Sequence, residues 1–406
     1  MRRVVLIVLG AMLLILGSLA GGTVWWLGRS GPPPELLIQQ ADGNLLLVSL
    51  PDQLRPLITD ADGVQWRYAF PVPSPDGRMI AYVDTLQGAP GVTTLVMHRI
   101  RGDRRVLFES ADSQPFYLYW SPDSRQIAFL SGDQQQGMVL RTVNVLGKPA
   151  PQQVITGQAS YFAWTPDSKR LLLHTGGDAP EGTLGTWTAG DAQPHIWELR
   201  PSMFQAPAWN DDGGSAIAAI VDGSSATLAR LDPEGKVQQK LASARSGMLF
   251  VVAPSGKQVA YLPMSLGTVG NLHIINVDGT NDREVTSSPV ITFWWSPDGA
   301  RIAYLTSAQN DGTSAIGLRS QPEVLLAWHV LDVASGTSRT LRSFTPSAAF
   351  LNLLPFFDQY AHSIRMWDKG GRRLVYADQE GVWTLDVTSG TATRIGDGIL
   401  GMWIER

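Results

Sequence analysis

Five tryptophans, Trp120, Trp164, Trp209, Trp295 and Trp367, each stand immediately before a tight polar turn that is followed by a short apolar run. The clearest copies read WSPDSRQIAFL, starting at Trp120, and WSPDGARIAYL, starting at Trp295. In such a turn Pro sets φ for the second position, Asp suits the third, and a fourth-position Gly takes positive φ with no Cβ to clash. Apolar and β-branched residues then alternate with polar ones, as from Gln126 to Leu130, which is the period of a strand rather than a helix. The unit is expected to be a β-hairpin, and the chain repeats it.

The first residue of the turn recurs at Ser74, Ser121, Thr165, Asn210, Ala253, Ser296 and Asp368, at separations of 47, 44, 45, 43, 43 and 72 residues. A period in the forties with several strands per repeat predicts an all-β fold, a propeller of four-stranded blades. An inner strand ends at the Trp position. A second follows the turn (80–83, 127–130, 302–306), then a third (95–100, 272–277, 324–333) and an outer fourth (105–108, 339–344). The copies vary: Pro73 and Val252 replace Trp, the fourth turn reads NDDG and the last DKGG. Residues 36–40, 44–50 and 55–58 look like second, third and fourth strands with no inner one, while 400–404 is a spare inner strand. Joining them closes the ring and leaves no open edge, which gives eight blades; seven is the alternative if the terminal strands pair irregularly.

Ahead of the repeats, residues 4–27 carry no charge, follow Arg2 and Arg3, and end near Trp25 and Trp26. About 20 apolar residues span a bilayer, basic residues favour its cytoplasmic side and Trp its interface, so 1–29 reads as an N-terminal membrane anchor. A cleaved signal ending in Ser18-Leu19-Ala20 is the competing reading. Either one places the propeller, 36–406, outside the cytoplasm; with an anchor, the N-terminus is cytoplasmic. Between them, 30–35 includes three consecutive prolines, a short stiff spacer. The 41 Gly and 26 Pro punctuate apolar runs instead of clustering, as many turns require. A net charge of −4 with no basic stripe argues against nucleic acid as a partner, and the absence of cysteine removes disulfides and thiolate chemistry.

These repeats resemble the WD40-like, or PD40, β-propeller family typified by TolB, whose recurring core is W-S-P-D-G-x-x-I-A-Y. The resemblance runs from about residue 36 to 405 and implies the propeller fold. TolB proteins are periplasmic and carry an α/β domain before the propeller, whereas this chain has the anchor and spacer there. Related propellers of prolyl-oligopeptidase-type enzymes depend on an appended hydrolase domain that does not fit here.

Chemical motifs are sparse. Gly396 to Gly401 matches G-x-G-x-x-G, but the five residues after it leave no room for the helix of a dinucleotide site, so it reads as a turn. G-x-S-x-G, H-E-x-x-H and the Walker loop are absent, so neither a cofactor nor an enzymatic role is expected. His98, His174, His195, His273, His329 and His362 are scattered at no ligand spacing. Residues 276–282 have an acidic, calcium-loop look without the alternating ligand order, and read as a hairpin turn. The repeat tryptophans are expected to fill the gaps between twisted blades.

The 72-residue separation holds two insertions, 307–322 and 345–363. By their connections both emerge on one rim. The second carries Phe350, Leu351, Leu353, Leu354, Phe356, Phe357, Asp358 and Tyr360, and is expected to form a short helix broken at Pro355. A loop this apolar folds onto something: as a lid on the central channel, or as a docking patch for a partner or membrane. The expected function is a membrane-anchored extracytoplasmic scaffold or sensor that binds a protein or peptide, with membership of an envelope or transporter complex as a specialisation of that role. The alternative is an enzyme or small-ligand binder that uses the channel.

Overall fold

All seven turns share one geometry. The N–H of the first residue donates to the carbonyl five residues on, and the N–H of the fourth donates back to the first carbonyl, as in Ser296 to Arg301 (2.9 Å) and Gly299 to Ser296 (2.8 Å). Where the first residue is Ser or Thr and the third Asp, the hydroxyl donates to the carboxylate at 2.6 Å, as at Ser74, Ser121, Thr165 and Ser296. The fourth residue has φ between 61° and 68° in every copy, and two copies place serine there, Ser124 and Ser168. These two accept a bond from the previous blade: Asp76 N–H donates to Ser124 Oγ (3.1 Å), and Asp123 N–H to Ser168 Oγ (3.0 Å). The left-handed serine backbone thus carries a blade-to-blade tether that glycine cannot make.

This computed structural model describes residues 35–50, 53–61, 66–86, 92–176, 182–203, 205–210, 213–265, 268–308 and 324–404. The expected anchor, the cleavage site and most of the first insertion lie outside these residues. Among the described residues no helix is long and apolar enough to cross a membrane.

The strands form eight antiparallel sheets around an axis. Blade 1 is Leu400–Ile404, Glu35–Gln39, Leu45–Ser49 and Gln53–Ile58 from the axis outward, with Leu36 opposite Trp403, so the two ends of the repeat region close the ring as expected. Blades 2 to 5 follow with inner strands Trp66–Pro73, Ser113–Trp120, Ser160–Trp164 and Ala208–Trp209. The inner strands of blades 6 and 7 are Gly247–Val252 and Thr292–Trp295; blade 6 carries an extra short strand, Thr268–Val269, against its second. Blade 8 has three strands, Arg373–Asp378, Gly381–Asp386 and Ala392–Gly396. Its inner strand is reduced to a bridge between Trp367 and Leu374, because the chain arrives there directly from the second insertion.

Burial follows radius. The inner strand Ser160–Trp164 is buried throughout, whereas the outer Arg104–Ser110 buries one residue fully. The five repeat tryptophans are at most 8% exposed, between blades. Four indole N–H groups donate to the preceding inner strand: Trp120 to Val72, Trp164 to Tyr119, Trp295 to Val251 and Trp367 to Trp294, at 3.0 to 3.2 Å. Trp209 instead lies under the guanidinium of Arg170 from blade 4, 5.1 Å from the ring centroid. Trp403 lies in the same way under Arg373 of blade 8 at 5.0 Å. Trp403 therefore occupies the repeat position of blade 1, a sixth copy opposite Leu36. Gly398 and Gly401 serve close packing, since a Cβ on Gly398 would stand 2.5 Å from Ile38 Cγ2.

Candidate functional site: the second insertion and its cleft

The second insertion begins with Ser347, whose hydroxyl donates to the Ile399 carbonyl (2.7 Å) and accepts from Phe350 N–H (3.1 Å), capping a one-turn helix, Ala348–Leu351. A 3-10 turn, Leu354–Phe356, holds Pro355, and a second one-turn helix, Phe357–Tyr360, follows. Phe350, Leu354 and Phe357 are buried. Phe350 packs edge-on against Phe344 of blade 7, centroids 5.9 Å apart, and Phe357 meets Phe293 at 5.0 Å. Leu351 and Tyr360 are half-buried and Phe356 is 44% exposed. The segment lies down over the channel instead of projecting from it.

From blades 7 and 8 it reaches across the axis. Asp358 Oδ2 accepts from the Ala206 N–H beside blade 5 (3.0 Å), and the Gln359 carbonyl accepts from the Tyr117 hydroxyl of blade 3 (3.0 Å). Burial pushes the Asp358 carboxyl up to about 6, against the opposing pull of main-chain N–H groups at Ala206 and Gln359. Burial likewise raises Tyr117, Tyr119 and Tyr161. His362 stacks on Tyr119, centroids 5.9 Å apart. His362 is exposed, and the protein around its ring lowers its pKa by desolvation. His329 stacks on Tyr304 at 4.8 Å and bonds Thr306, and His174 Nδ1 bonds the Gln205 carbonyl. Asp278 accepts from Thr280 within its own turn. Among the described residues no three His, Cys, Asp or Glu side chains stand together as metal ligands.

Between the insertion and blades 1 to 3 lies a cleft of about 500 Å³. Its apolar lining includes Phe70, Tyr117, Leu353 and Tyr360, and its polar lining Gln39, Gln114 and Asn352. Phe70 and Tyr117 each stand four residues before their turn, with φ of 52° and 46°, in bulges of the inner strands of blades 2 and 3. A bulge re-aims a side chain, and left-handed backbone at a bulky residue is costly, on the order of 1–3 kcal/mol. Both distortions serve this cleft: Tyr117 is turned beneath the insertion, and Phe70 is left 43% exposed at the cleft wall. The insertion was legible in the sequence as an apolar segment. Phe70 and Tyr117 were not, because nothing in the repeat marks a bulge.

Comparison with known proteins adds the fold. No protein-family model matches the chain, and no curated protein matches it. Among solved structures, a prolyl endopeptidase is similar with a TM-score of 0.55 and 13% identity, over 84% of this chain and 50% of that one, so the chain spans half of that enzyme's length. An uncharacterized protein from Listeria monocytogenes is similar with a TM-score of 0.51 and 12% identity, over 82% of this chain and 95% of that one. TolB from Acinetobacter baumannii is similar at 0.41 and 13%, over 94% and 85%. At these identities the likeness concerns architecture alone, and the architecture is a β-propeller of eight blades.

Proposed function

We propose that the protein is a membrane-tethered, extracytoplasmic scaffold that binds an extended segment of a partner protein in the cleft between the second insertion and blades 1 to 3. One observation carries this reading: the exposed Phe70, held on strained backbone, faces a concave apolar wall edged by amide side chains. Apolar walls hold a peptide's side chains, and the exposed Gln114 and Asn352 offer donors and acceptors to its main chain. Removing residues 349–359 would also strip Phe350 and Phe357 from the core, so point variants are the suitable instruments. Selection of a displayed random-peptide library on the full-length protein is expected to enrich an apolar consensus. Phe70→Ser should weaken the selected peptide at least tenfold with an unchanged melting temperature. Equal binding by wild type and Phe70→Ser would remove the cleft from consideration.

A second reading, a small-ligand site, is supported by a cavity of about 290 Å³ lined by Trp209, Trp294, Trp295, Trp367, His362 and Arg365. Its test is the His362 imidazole resonance during a fragment screen; a resonance that no fragment moves ends that reading.

A further inference from the structure

The face opposite the cleft carries a second concavity of a different character. Between blades 2 and 3, on the face of the polar turns, a cleft of about 680 Å³ is lined by four arginines, Arg78, Arg99, Arg101 and Arg125. Two carboxylates also line it, but each is committed to its own turn. Asp76 Oδ1 accepts from Ser74 Oγ and from Arg78 N–H, and Asp123 Oδ1 accepts from Ser121 Oγ and from Arg125 N–H. Arg78 stands 4.0 Å from Asp76, and Arg99 stands 3.5 Å from Asp103, exposed pairs of the kind that contribute little. The guanidinium groups of Arg101 and Arg125 make no hydrogen bond or ion pair among the described residues. The cleft therefore holds an excess of positive charge on a chain whose net charge is −4.

At its edge sits Leu146, 49% exposed. It is not there by slack: Arg105 of blade 2 donates to the carbonyls of Val145 (3.4 Å) and Gly147, clamping the loop on both sides of Leu146. An apolar side chain fixed beside unpaired guanidinium groups matches the boundary between phosphate headgroups and acyl chains.

Topology gives the direction of this face. Glu35 pairs with Ile404, at the end of the inner strand where the other blades make their polar turn, so the described chain starts on the arginine-bearing face. Residues 28–34 separate it from the apolar 4–27, and an extended proline-rich spacer of that length reaches roughly 20 Å. We propose that this cleft binds the headgroup of an anionic phospholipid, so that the turn face lies against the membrane and the peptide cleft points away from it.

For orientation the proposal rests on the reading of residues 4–27 as an anchor. Phase partition in Triton X-114 tests that anchor separately: a full-length chain found in the aqueous phase removes the anchor and leaves the headgroup measurement intact. That measurement is calorimetric titration of the full-length protein, in neutral maltoside detergent, with dihexanoyl phosphatidylglycerol, dihexanoyl phosphatidylcholine or inorganic phosphate. Phosphatidylglycerol is expected to bind, and Arg101→Ser/Arg125→Ser to weaken it about 30-fold. Leu146→Ser should weaken the lipid but not inorganic phosphate. Equal binding of the two lipids, or a double variant that binds phosphatidylglycerol normally, overturns the proposal. Inorganic phosphate binding as tightly as phosphatidylglycerol also overturns it, since the site would then serve a free anion.

Discussion

The carboxyl of Asp358 offers a direct probe of whether the insertion is seated in the channel. In the folded protein its pKa is pushed up to about 6 by burial, against an ordinary value of 3.8. Burial disfavours the charged form, so ionisation costs the folded state and not the unfolded one. Below about pH 3 the group is protonated in both states and the penalty is absent. As pH rises from about 3 to 7 the unfolded chain releases the proton first, and stability falls; above about 7 the loss is constant. Two pKa units amount to roughly 3 kcal/mol. Asp358→Asn deletes this linkage while its side-chain carbonyl still accepts from Ala206 N–H. Urea unfolding of both proteins at a series of pH values cancels the contribution of every other carboxylate in the difference. Wild type should lose about 3 kcal/mol relative to Asp358→Asn between pH 3 and pH 7. A difference that does not change with pH would mean that Asp358 is in water, and that the insertion does not lie across the channel in solution.

Two further outcomes test the blade contacts. Ser168→Ala should cost about 1–2 kcal/mol, because Asp123 N–H loses its acceptor while the left-handed backbone strain stays. Ser168→Gly should lie within about 0.5 kcal/mol of wild type, strain relief offsetting the lost tether, and unfolding midpoints with glycine below alanine would refute the assignment. Trp295→Ala removes an indole that is 8% exposed and bonded to the Val251 carbonyl, and should cost about 3–5 kcal/mol by denaturant unfolding. A change below about 0.5 kcal/mol would exclude an interblade role.

What could be read in the sequence was local. A Ser-Pro-Asp-Gly turn is set by bonds that close within five residues, between a hydroxyl, a carboxylate and neighbouring N–H groups, so its copies announce themselves and their period counts the blades. Ring closure was legible too, because a spare inner strand at one end and three outer strands at the other have one way to avoid open edges. The apolar character of residues 345–363 showed that the insertion must be covered. It did not show by what: Phe356 and Phe357 are adjacent and chemically identical, yet one is 44% exposed and the other 1%. That difference is decided by where Phe293 stands. Asp358 meets a main-chain N–H 152 residues away, and Gln359 a hydroxyl 242 residues away. The bulges at Phe70 and Tyr117 and the arginines gathered from two blades belong to the same class. Contacts of that range leave no period in a sequence, since they depend on the angle at which separately encoded blades come to rest around a common axis.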